Sequence, residues 1–266
     1  MQPPNWILGK QAPRLMLTLT LVCLLSAPWW LAPGEPGWFL AVNRAGAGWP
    51  LAWWTYFSLF GTAWALLGAT APLLVWQPRA FLSWIFAAPF AIAAVRVGKG
   101  LIYSPRPPEV LDAGSFSMLG EALGTASMPS GHTLTAFTVA TAIVMGFPHA
   151  KRRLLAPLFL LATLTGLSRV ALGAHWPSDV LVGAGLGLLC GNLGAALANK
   201  ISASRVRADS WLMRSLAVLV ALACYNLIFD LVDFKEALYL QRAIGVMAVL
   251  SLLVFAMRSV RATRAS

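Results

Sequence analysis

The amino-acid sequence predicts an all-α fold, a polytopic bundle of membrane helices. Of its 266 residues, 59% are hydrophobic and only 11% are charged, whereas a soluble domain carries roughly 25% charged residues. The chain also contains eight apolar runs, each near the length that crosses roughly 30 Å of hydrocarbon. Many of the 12 tryptophans crowd the ends of the first two runs, as expected for an aromatic belt at the membrane interface.

The predicted spans follow one another without a soluble domain or a repeat between them. The first run is long for the core of a signal peptide and lacks a clean cleavage site of small residues, so we expect it to remain as an anchor. The fourth and fifth runs reach span length only if the polar motifs at their ends are helical. The runs are Leu15–Ala32, Leu51–Trp76, Ala80–Val97, Thr133–Phe147, Leu154–Leu167, Val180–Ala198, Leu216–Val232 and Leu238–Met257.

The distribution of basic residues predicts the orientation of the chain in the membrane. Both termini and the connections after runs two, four and six hold 13 of the 20 Lys and Arg residues, and such an excess marks the cytoplasmic side. Because the basic residues lie in connections rather than on one polar domain, the net charge of +11 indicates membrane topology and not nucleic-acid binding. Cys23, Cys190 and Cys224 lie within apolar runs and predict neither a metal site nor a disulfide framework.

Three short polar segments interrupt this apolar chain. They are Lys99–Pro107 (KGLIYSPRP), Pro129–His132 (PSGH) and Ser168–Asp179 (SRVALGAHWPSD). In the predicted topology they fall at the end of run three, the start of run four, the end of run five and the start of run six. All four positions lie on the outer side, so we expect the segments to meet there in one site.

The residue types in these segments are those of an anion site. Lysine and arginine side chains bind phosphate oxygens, arginine by bidentate contacts. Pro129 and Pro177 each predict the first turn of a helix. The amides of Ser130 and Gly131 would then point at an anion. No acidic cluster or histidine-rich spacing accompanies them, so we expect no metal ion and no cofactor. The predicted cationic ligands are Lys99, Arg106 and Arg169.

Two histidines and an aspartate supply the remaining chemistry. His175 and Asp179 are four residues apart and therefore lie close across one helical turn. The carboxylate can accept from one imidazole nitrogen and leave the other nitrogen nucleophilic. His132 begins another helix and can protonate a departing oxygen. A nucleophile, an acid and a set of cations are what two-step phosphoryl transfer requires.

The complete set of motifs resembles the type-2 phosphatidic acid phosphatase superfamily, whose pattern is K-x6-RP, PSGH and SR-x5-H-x3-D. The pattern covers Lys99 to Asp179, and runs one to six resemble the six-helix core of that family. The resemblance implies a phosphohistidine on His175, with His132 as the acid and Asp179 as the carboxylate that orients the nucleophile. It also implies phosphate binding by Lys99, Arg106, Ser130, Gly131 and Arg169.

The resemblance says nothing about runs seven and eight. We therefore expect a single membrane domain, residues 1–266, with a phosphatase core at about 1–200 and a two-helix extension at about 201–266. Near the extension, Asp230, Asp233 and Arg242 predict an outer ion-pair cluster with a structural role. Glycines at four-residue spacing in run six predict a ridge for close helix packing, at Gly183, Gly187 and Gly191.

The expected function is metal-independent hydrolysis of a lipid phosphate or lipid diphosphate at the outer membrane face. Candidate substrates are undecaprenyl diphosphate, phosphatidic acid, phosphatidylglycerol phosphate and the phosphates of lipid A. The same phosphohistidine could instead pass its phosphate to the hydroxyl of another lipid. A transporter or a non-catalytic lipid-binding protein is the alternative from another class. The intact His175, Asp179 and His132 argue against a non-catalytic protein, and the sequence shows no broken-helix inverted repeat of the transporter kind. The absence of an organellar signal favours a bacterial inner membrane, with the site facing the periplasm and both termini in the cytoplasm.

Overall fold

The computed structural model describes residues 17–25, 35–120, 126–148 and 156–264, and every regular element within these ranges is helical. The predicted all-α class is therefore confirmed. Parts of the first run, and the basic cluster at 151–153, lie outside the described residues. The α-helices are α1 (17–25), α2 (Glu35–Ala47), α3 (Leu51–Leu59), α4 (Ala63–Trp76), α5 (Pro78–Leu101), α6 (Pro107–Val110), α7 (Gly131–Gly146), α8 (Ala156–Ala171), α9 (Pro177–Ala198), α10 (Trp211–Phe229) and α11 (Leu238–Arg264).

The helices begin where the sequence provides local signals for a helix start. Pro78 and Pro177 occupy the first positions of α5 and α9, where a residue without an amide proton is tolerated because that group would have no helical partner. The position of Pro177 is the predicted one. The hydroxyls of Thr62 and Ser210 cap α4 and α10 by accepting from first-turn amides, a contact typically worth ~1 kcal/mol.

Within the described ranges, four helices are long and apolar enough to cross a membrane, and a fifth span results if α3 and α4 count as one. α7 and α8 are shorter, with 16 residues each. Large apolar side chains such as Leu222 on α10 and Leu250 on α11 are exposed on the outside of the bundle, as expected for residues that face lipid. The chain is an integral membrane protein, whereas the predicted count of eight spans is not confirmed.

The second predicted span, Leu51–Trp76, is not one helix. It consists of α3 and α4, which meet at an angle of 68°. The break contains Gly61, where a Cβ atom would lie 2.5 Å from the Cβ of His132. A side chain at this position would therefore displace His132, and only glycine lets the two segments come so close. α2, which precedes the bent pair, was not predicted from the sequence.

α9 packs against both α5 and α7 in the core, and α5 and α7 also pack against each other. Its predicted glycine ridge is confirmed, since a Cβ at Gly183, Gly187 or Gly191 would come within 2.6 to 2.8 Å of a backbone oxygen of α7 or its N-cap. Small residues allow this approach, and close packing of backbones is a principal source of helix association in membranes. The ridge thereby brings the starts of α7 and α9, which carry the polar motifs, against each other.

The C-terminal helices α10 and α11 pack against each other and against α4. Gly68 of α4 lies against Leu227 of α10 and Ile244 of α11, and all three residues are buried. The C-terminal pair is therefore attached to the bent helix pair that contacts His132.

Candidate active site

The polar motifs lie together at one end of the bundle, where α5 and α8 end and α7 and α9 begin. The amide of Ser130, just before α7, donates to the carbonyl of Asp179 in α9 at 3.0 Å. Lys99, near the end of α5, donates to a carbonyl in the loop before α7. The carbonyl of Arg169, near the end of α8, accepts from the amide of His175 at 3.2 Å. These contacts bring the ends of four helices to one place, as expected from the sequence.

His175 and Asp179 form a buried pair. Nδ1 of His175 lies 3.1 Å from Oδ2 of Asp179, and both side chains are almost fully buried. The same carboxylate oxygen accepts from the amide of Trp176 at 2.9 Å and from the hydroxyl of Ser127. An acceptor at Nδ1 holds the proton on that nitrogen and leaves the lone pair on Nε2. Ser127, which was not predicted as a site residue, therefore helps to hold the carboxylate that orients His175.

Nε2 of His175 faces a guanidinium group. Nη1 of Arg106 lies 3.5 Å from it and also donates to the carbonyl of Ala174 at 2.7 Å. Burial lowers the pKa of His175 to about 4; the hydrogen bond and charge of Asp179 oppose this shift, and the charges of Arg106 and Arg169 add to it. The imidazole is therefore neutral near pH 7, which is the state in which Nε2 can attack phosphorus.

The cations of the site are held by neighbouring protein groups. Arg106 and Arg169 are buried, and Lys99 is half-buried. Nη1 of Arg169 donates to the hydroxyl of Ser58 at 2.6 Å, and its guanidinium lies over the ring of Phe234 at 5.9 Å. Burying a charge is unfavourable unless an opposite charge is close by, so this end of the bundle favours an anion such as phosphate.

The start of α7 departs from the sequence prediction. The helix begins at Gly131 with Ser130 as its N-cap, so the prediction that Pro129 occupies the first turn is wrong. The Ser130 amide is bonded to the carbonyl of Asp179, which makes it unavailable to an anion, and its hydroxyl oxygen accepts from Thr133 at 2.9 Å. The amide of Gly131 belongs to the first turn, where amides lack helical partners, and is the one suited to an anion.

His132 occupies the second position of α7, between the bend at Gly61 and the loop that joins α10 to α11. Its Nε2 is buried and lies 3.9 Å from Oδ1 of Asp233. The sequence analysis predicted that Asp233 forms an outer ion-pair cluster with Asp230 and Arg242. In the structure Asp233 instead faces the site. An acidic residue in an outer loop was the only signal in the sequence for this contact.

α2 supports the loop that carries His175. Glu35, the first residue of α2, accepts from the amide of Ser178 at 2.9 Å, and burial raises the pKa of its carboxyl group. The ring of Phe39 packs edge-on against Trp176, with centroids 5.2 Å apart. These contacts hold the residues that follow His175, and no motif marks them because α2 lies outside the motif region.

Within the described ranges, no three His, Cys, Asp or Glu side chains could share a metal ion. The positive charge of the site comes from its lysine and arginine side chains. Such cations can bind the oxygens of a phosphoryl group, while one histidine attacks phosphorus and another protonates the leaving oxygen.

The chain is similar in sequence and in fold to known phosphatases. The sequence model of the PAP2 superfamily matches residues 80–203, which include all three motifs but neither α10 nor α11. Over 73 residues the chain is 44% identical to a lipid A 1-phosphatase of Porphyromonas gingivalis, covering 27% of this chain and 16% of that protein. Over 147 residues it is 33% identical to a decaprenylphosphoryl-5-phosphoribose phosphatase of Mycobacterium tuberculosis, covering 54% of this chain and 72% of that protein. The crystal structure of Aquifex aeolicus LpxE aligns with a TM-score of 0.52 at 30% identity, over 60% of this chain and 93% of that one.

Proposed function

The chain belongs to the PAP2 superfamily, and from this membership we propose that it hydrolyses a lipid phosphate or lipid diphosphate through a phosphohistidine intermediate, without a metal ion. The observation that carries the proposal is the state of His175. Its imidazole is buried and neutral, with Nδ1 facing a carboxylate and Nε2 facing an arginine. A nucleophile held in this way beside cations is suited to attack phosphorus.

In the first step, Nε2 of His175 attacks phosphorus while the bond from phosphorus to the leaving oxygen breaks. The electron pair of that bond goes to the oxygen, and protonated His132 supplies the proton. Asp179 stabilises the positive charge that the imidazole gains on phosphorylation. The equatorial oxygens are bound by cations and by groups at the start of α7. These ligands are Lys99, Arg106, Arg169, the amide of Gly131 and the hydroxyl of Ser130.

In the second step, water attacks the phosphorus of the phosphohistidine. The phosphorus–nitrogen bond breaks, and its electron pair returns to Nε2 of His175. His132, neutral after the first step, takes a proton from the attacking water. The products are inorganic phosphate and a lipid alcohol, or a lipid monophosphate when the substrate is a diphosphate. Both histidines return to their starting states.

The surroundings of the site suit an amphipathic substrate. Leu101 and Tyr103 follow Lys99 closely, and their side chains are 80% and 91% exposed. An apolar surface therefore adjoins the cationic one, as a lipid with a phosphorylated head group requires. Because the two relatives are named for lipid A and for a decaprenyl phosphate compound, we place lipid A and polyprenyl substrates ahead of phosphatidic acid and phosphatidylglycerol phosphate.

We place the site on the periplasmic face of a bacterial inner membrane, with both termini in the cytoplasm. Arg79 and Arg258 support this orientation, because they lie at the end of the bundle opposite to the motifs. Arg79 at the start of α5 donates to the carbonyl of Ala198 at the end of α9 at 2.8 Å, and Arg258 of α11 donates to the carbonyl of Val75 at 2.7 Å. In this arrangement residues 1–266 are one domain, with a core at about 1–200 and an extension at about 201–266.

Phosphate release by the purified protein in detergent micelles tests the proposal. Lipid A, a polyprenyl diphosphate and a short-chain phosphatidic acid form the substrate panel, and at least one should yield inorganic phosphate. A ³²P-labelled substrate should leave an acid-labile, base-stable label on the wild type but not on His175→Ala. Full activity of His175→Ala would refute the mechanism. Label transferred to an added lipid alcohol would instead identify a phosphotransferase, and binding without turnover would identify a lipid-binding protein.

A further inference from the structure

The loop between α10 and α11 carries a largely enclosed acid, Asp233, that has no part in the mechanism above. The Asp233 side chain is 12% exposed, and its Oδ1 lies 3.9 Å from Nε2 of His132. Nε2 of His132 and Oδ2 of Asp233 are both buried and find no hydrogen-bond partner among the residues that the structure describes. An ionised carboxylate in such a place is unfavourable unless a positive charge is close by, and a protonated His132 would supply one.

The carboxyl group of Asp233 is ionised in this environment. Burial raises its pKa, but His132, Ser58 and Arg169 together bring the pKa below its ordinary value. Arg169, which donates to Ser58 at 2.6 Å, is a proposed phosphate ligand, and His132 is the proposed acid. Both therefore act on the same carboxylate, that of Asp233.

The loop that carries Asp233 is held by an internal set of hydrogen bonds. Gln241 of α11 is fully buried. Its amide nitrogen donates to the carbonyls of Leu227 at 2.9 Å and Asp230 at 2.7 Å, and its oxygen accepts from the amide of Val232 at 3.0 Å. A buried side chain that satisfies three backbone groups fixes the course of a loop. The direction of Asp233 is therefore set by the loop itself.

His132 is confined from the opposite side. A Cβ at Gly61 would lie 2.5 Å from the Cβ and 2.6 Å from the Cδ2 of His132. The ring therefore lies between the bend of α3 and α4 and the Asp233 loop, and its place depends on both. Its side chain as a whole is 29% exposed although Nε2 is buried, so atoms of the side chain other than Nε2 are accessible.

We infer that Asp233 is a positioning residue for His132, and that the C-terminal helix pair completes the active site by supplying it. The inference rests on the proposed function, because it concerns the acid of that reaction. α10 and α11 lie outside the residues that the PAP2 model matches, so the family motifs do not account for this contact.

The chemistry assigns a role to each nitrogen of His132. With Nε2 beside the carboxylate, Nδ1 donates its proton to the leaving oxygen as the bond to phosphorus breaks. Nε2 keeps its proton, and the resulting neutral tautomer is stabilised by Asp233. Arg106 and Arg169 are the other charged groups that act on His132. Burial of the imidazole opposes its protonation most, and the two positive charges add to this, so Asp233 is the neighbouring group that favours the protonated acid.

The test compares Asp233→Asn with Asp230→Asn. Asp230 lies in the same loop but is exposed, which makes it the matched control. Dioctanoyl phosphatidic acid has a poor leaving group that needs a proton, whereas p-nitrophenyl phosphate has a good one. Asp233→Asn should lower kcat with the first substrate about tenfold and with the second by less than about threefold, since general acids matter least for good leaving groups. Asp230→Asn should match the wild type with both.

Three further measurements exclude a purely structural role. The basic limb of the pH profile of kcat/KM should move to lower pH in Asp233→Asn, because the protonated imidazole has lost its counter-charge. Asp233→Glu should recover part of the activity. In a His132→Gln background, Asp233→Asn should have no further effect, because the two residues act through one proton transfer.

Equal losses with both substrates, or full additivity with His132→Gln, would overturn the inference. If Asp233→Asn does not fold, Gly61→Ala provides the second test, because its methyl group displaces the same ring and should give the same dependence on the leaving group. A Gly61→Ala protein that loses activity equally with both substrates would also overturn it. The proposed function would fail differently, with a wild type that releases no phosphate from any substrate.

Discussion

Replacing Asp179 by asparagine separates the charge of this carboxylate from its hydrogen bonds. Oδ2 receives three donors, namely Nδ1 of His175 at 3.1 Å, the amide of Trp176 at 2.9 Å and the hydroxyl of Ser127. Oδ1 is buried and has no hydrogen-bond partner within the described part of the chain. An asparagine with its oxygen at the place of Oδ2 therefore keeps all three bonds, loses the negative charge and puts its amide nitrogen in the place of Oδ1. Alanine loses the bonds as well.

The size of the effect follows from the difference between charged and neutral hydrogen bonds. A bond to a charged group is worth about 1.5–3 kcal/mol and a neutral one about 0.5–1.5 kcal/mol. Losing the charge that stabilises the phosphorylated imidazole should therefore cost about 1.5 kcal/mol, or roughly tenfold in kcat. Asp179→Ala removes the carboxylate that faces Nδ1 of His175 and fixes its tautomer. The loss in kcat should therefore approach the ~10⁴-fold effect seen when a catalytic histidine is held in the wrong tautomer.

Initial rates of phosphate release at saturating substrate measure these losses, and thermal unfolding in detergent checks that each variant is folded. Ser127→Ala is the matched control, because it removes one donor and keeps the charge; it should lose less than about tenfold. An Asp179→Asn protein as inactive as Asp179→Ala would show that the hydrogen bonds alone do not hold His175. An Asp179→Asn protein as active as the wild type would show that the charge has no part in the reaction.

Other features lead to further predictions. Chelators should leave the rate unchanged and vanadate should inhibit, because the site uses side-chain cations; activity that requires added magnesium would contradict this. In a cysteine-free background, Ser115→Cys should react with an impermeant thiol reagent in intact spheroplasts and Ser204→Cys only after lysis, both sites being exposed; the reverse result would place the active site in the cytoplasm. Gly187→Val should lower the unfolding temperature, because a Cβ there would lie 2.6 Å from the carbonyl oxygen of Leu134; a stability equal to the wild type would contradict the packing of the ridge. Because the pKa of His175 is lowered to about 4, the nucleophile should stay active down to about that pH and be lost below it by protonation; after correction for substrate ionisation, an acid limb near the ordinary histidine value would contradict this.

The sequence by itself determined the class of fold and the end of the bundle at which the motifs meet. Long apolar runs can satisfy their backbone groups in a membrane only as helices or closed barrels, so composition and run length predict helices. The alternation of spans then sends the end of α5, the start of α7, the end of α8 and the start of α9 to the same side. The four-residue spacing of His175 and Asp179 also sufficed to predict their contact, because it depends on one helical turn.

The helical geometry of the bent span could not be predicted in the same way. A run of apolar residues shows that a segment avoids water, but it does not show whether the segment is straight. The break between α3 and α4 depends on Gly61 facing His132 across the bundle, a contact between distant parts of the chain. For the same reason α2 was missed, since its role is defined by the contact of Glu35 with Ser178.

Only the tertiary structure decided which residues surround the two histidines. Ser127 acts on Asp179, and Asp233 faces His132, although neither belongs to the motif pattern. A motif lists the residues that touch the reacting group, whereas the residues that orient them come from any segment that packs nearby. Their electrostatic effect depends on burial and on distances of a few ångströms, since the interaction between charges strengthens as they approach and as water is excluded. Those quantities are properties of the packed helices and do not follow from spacing along the chain.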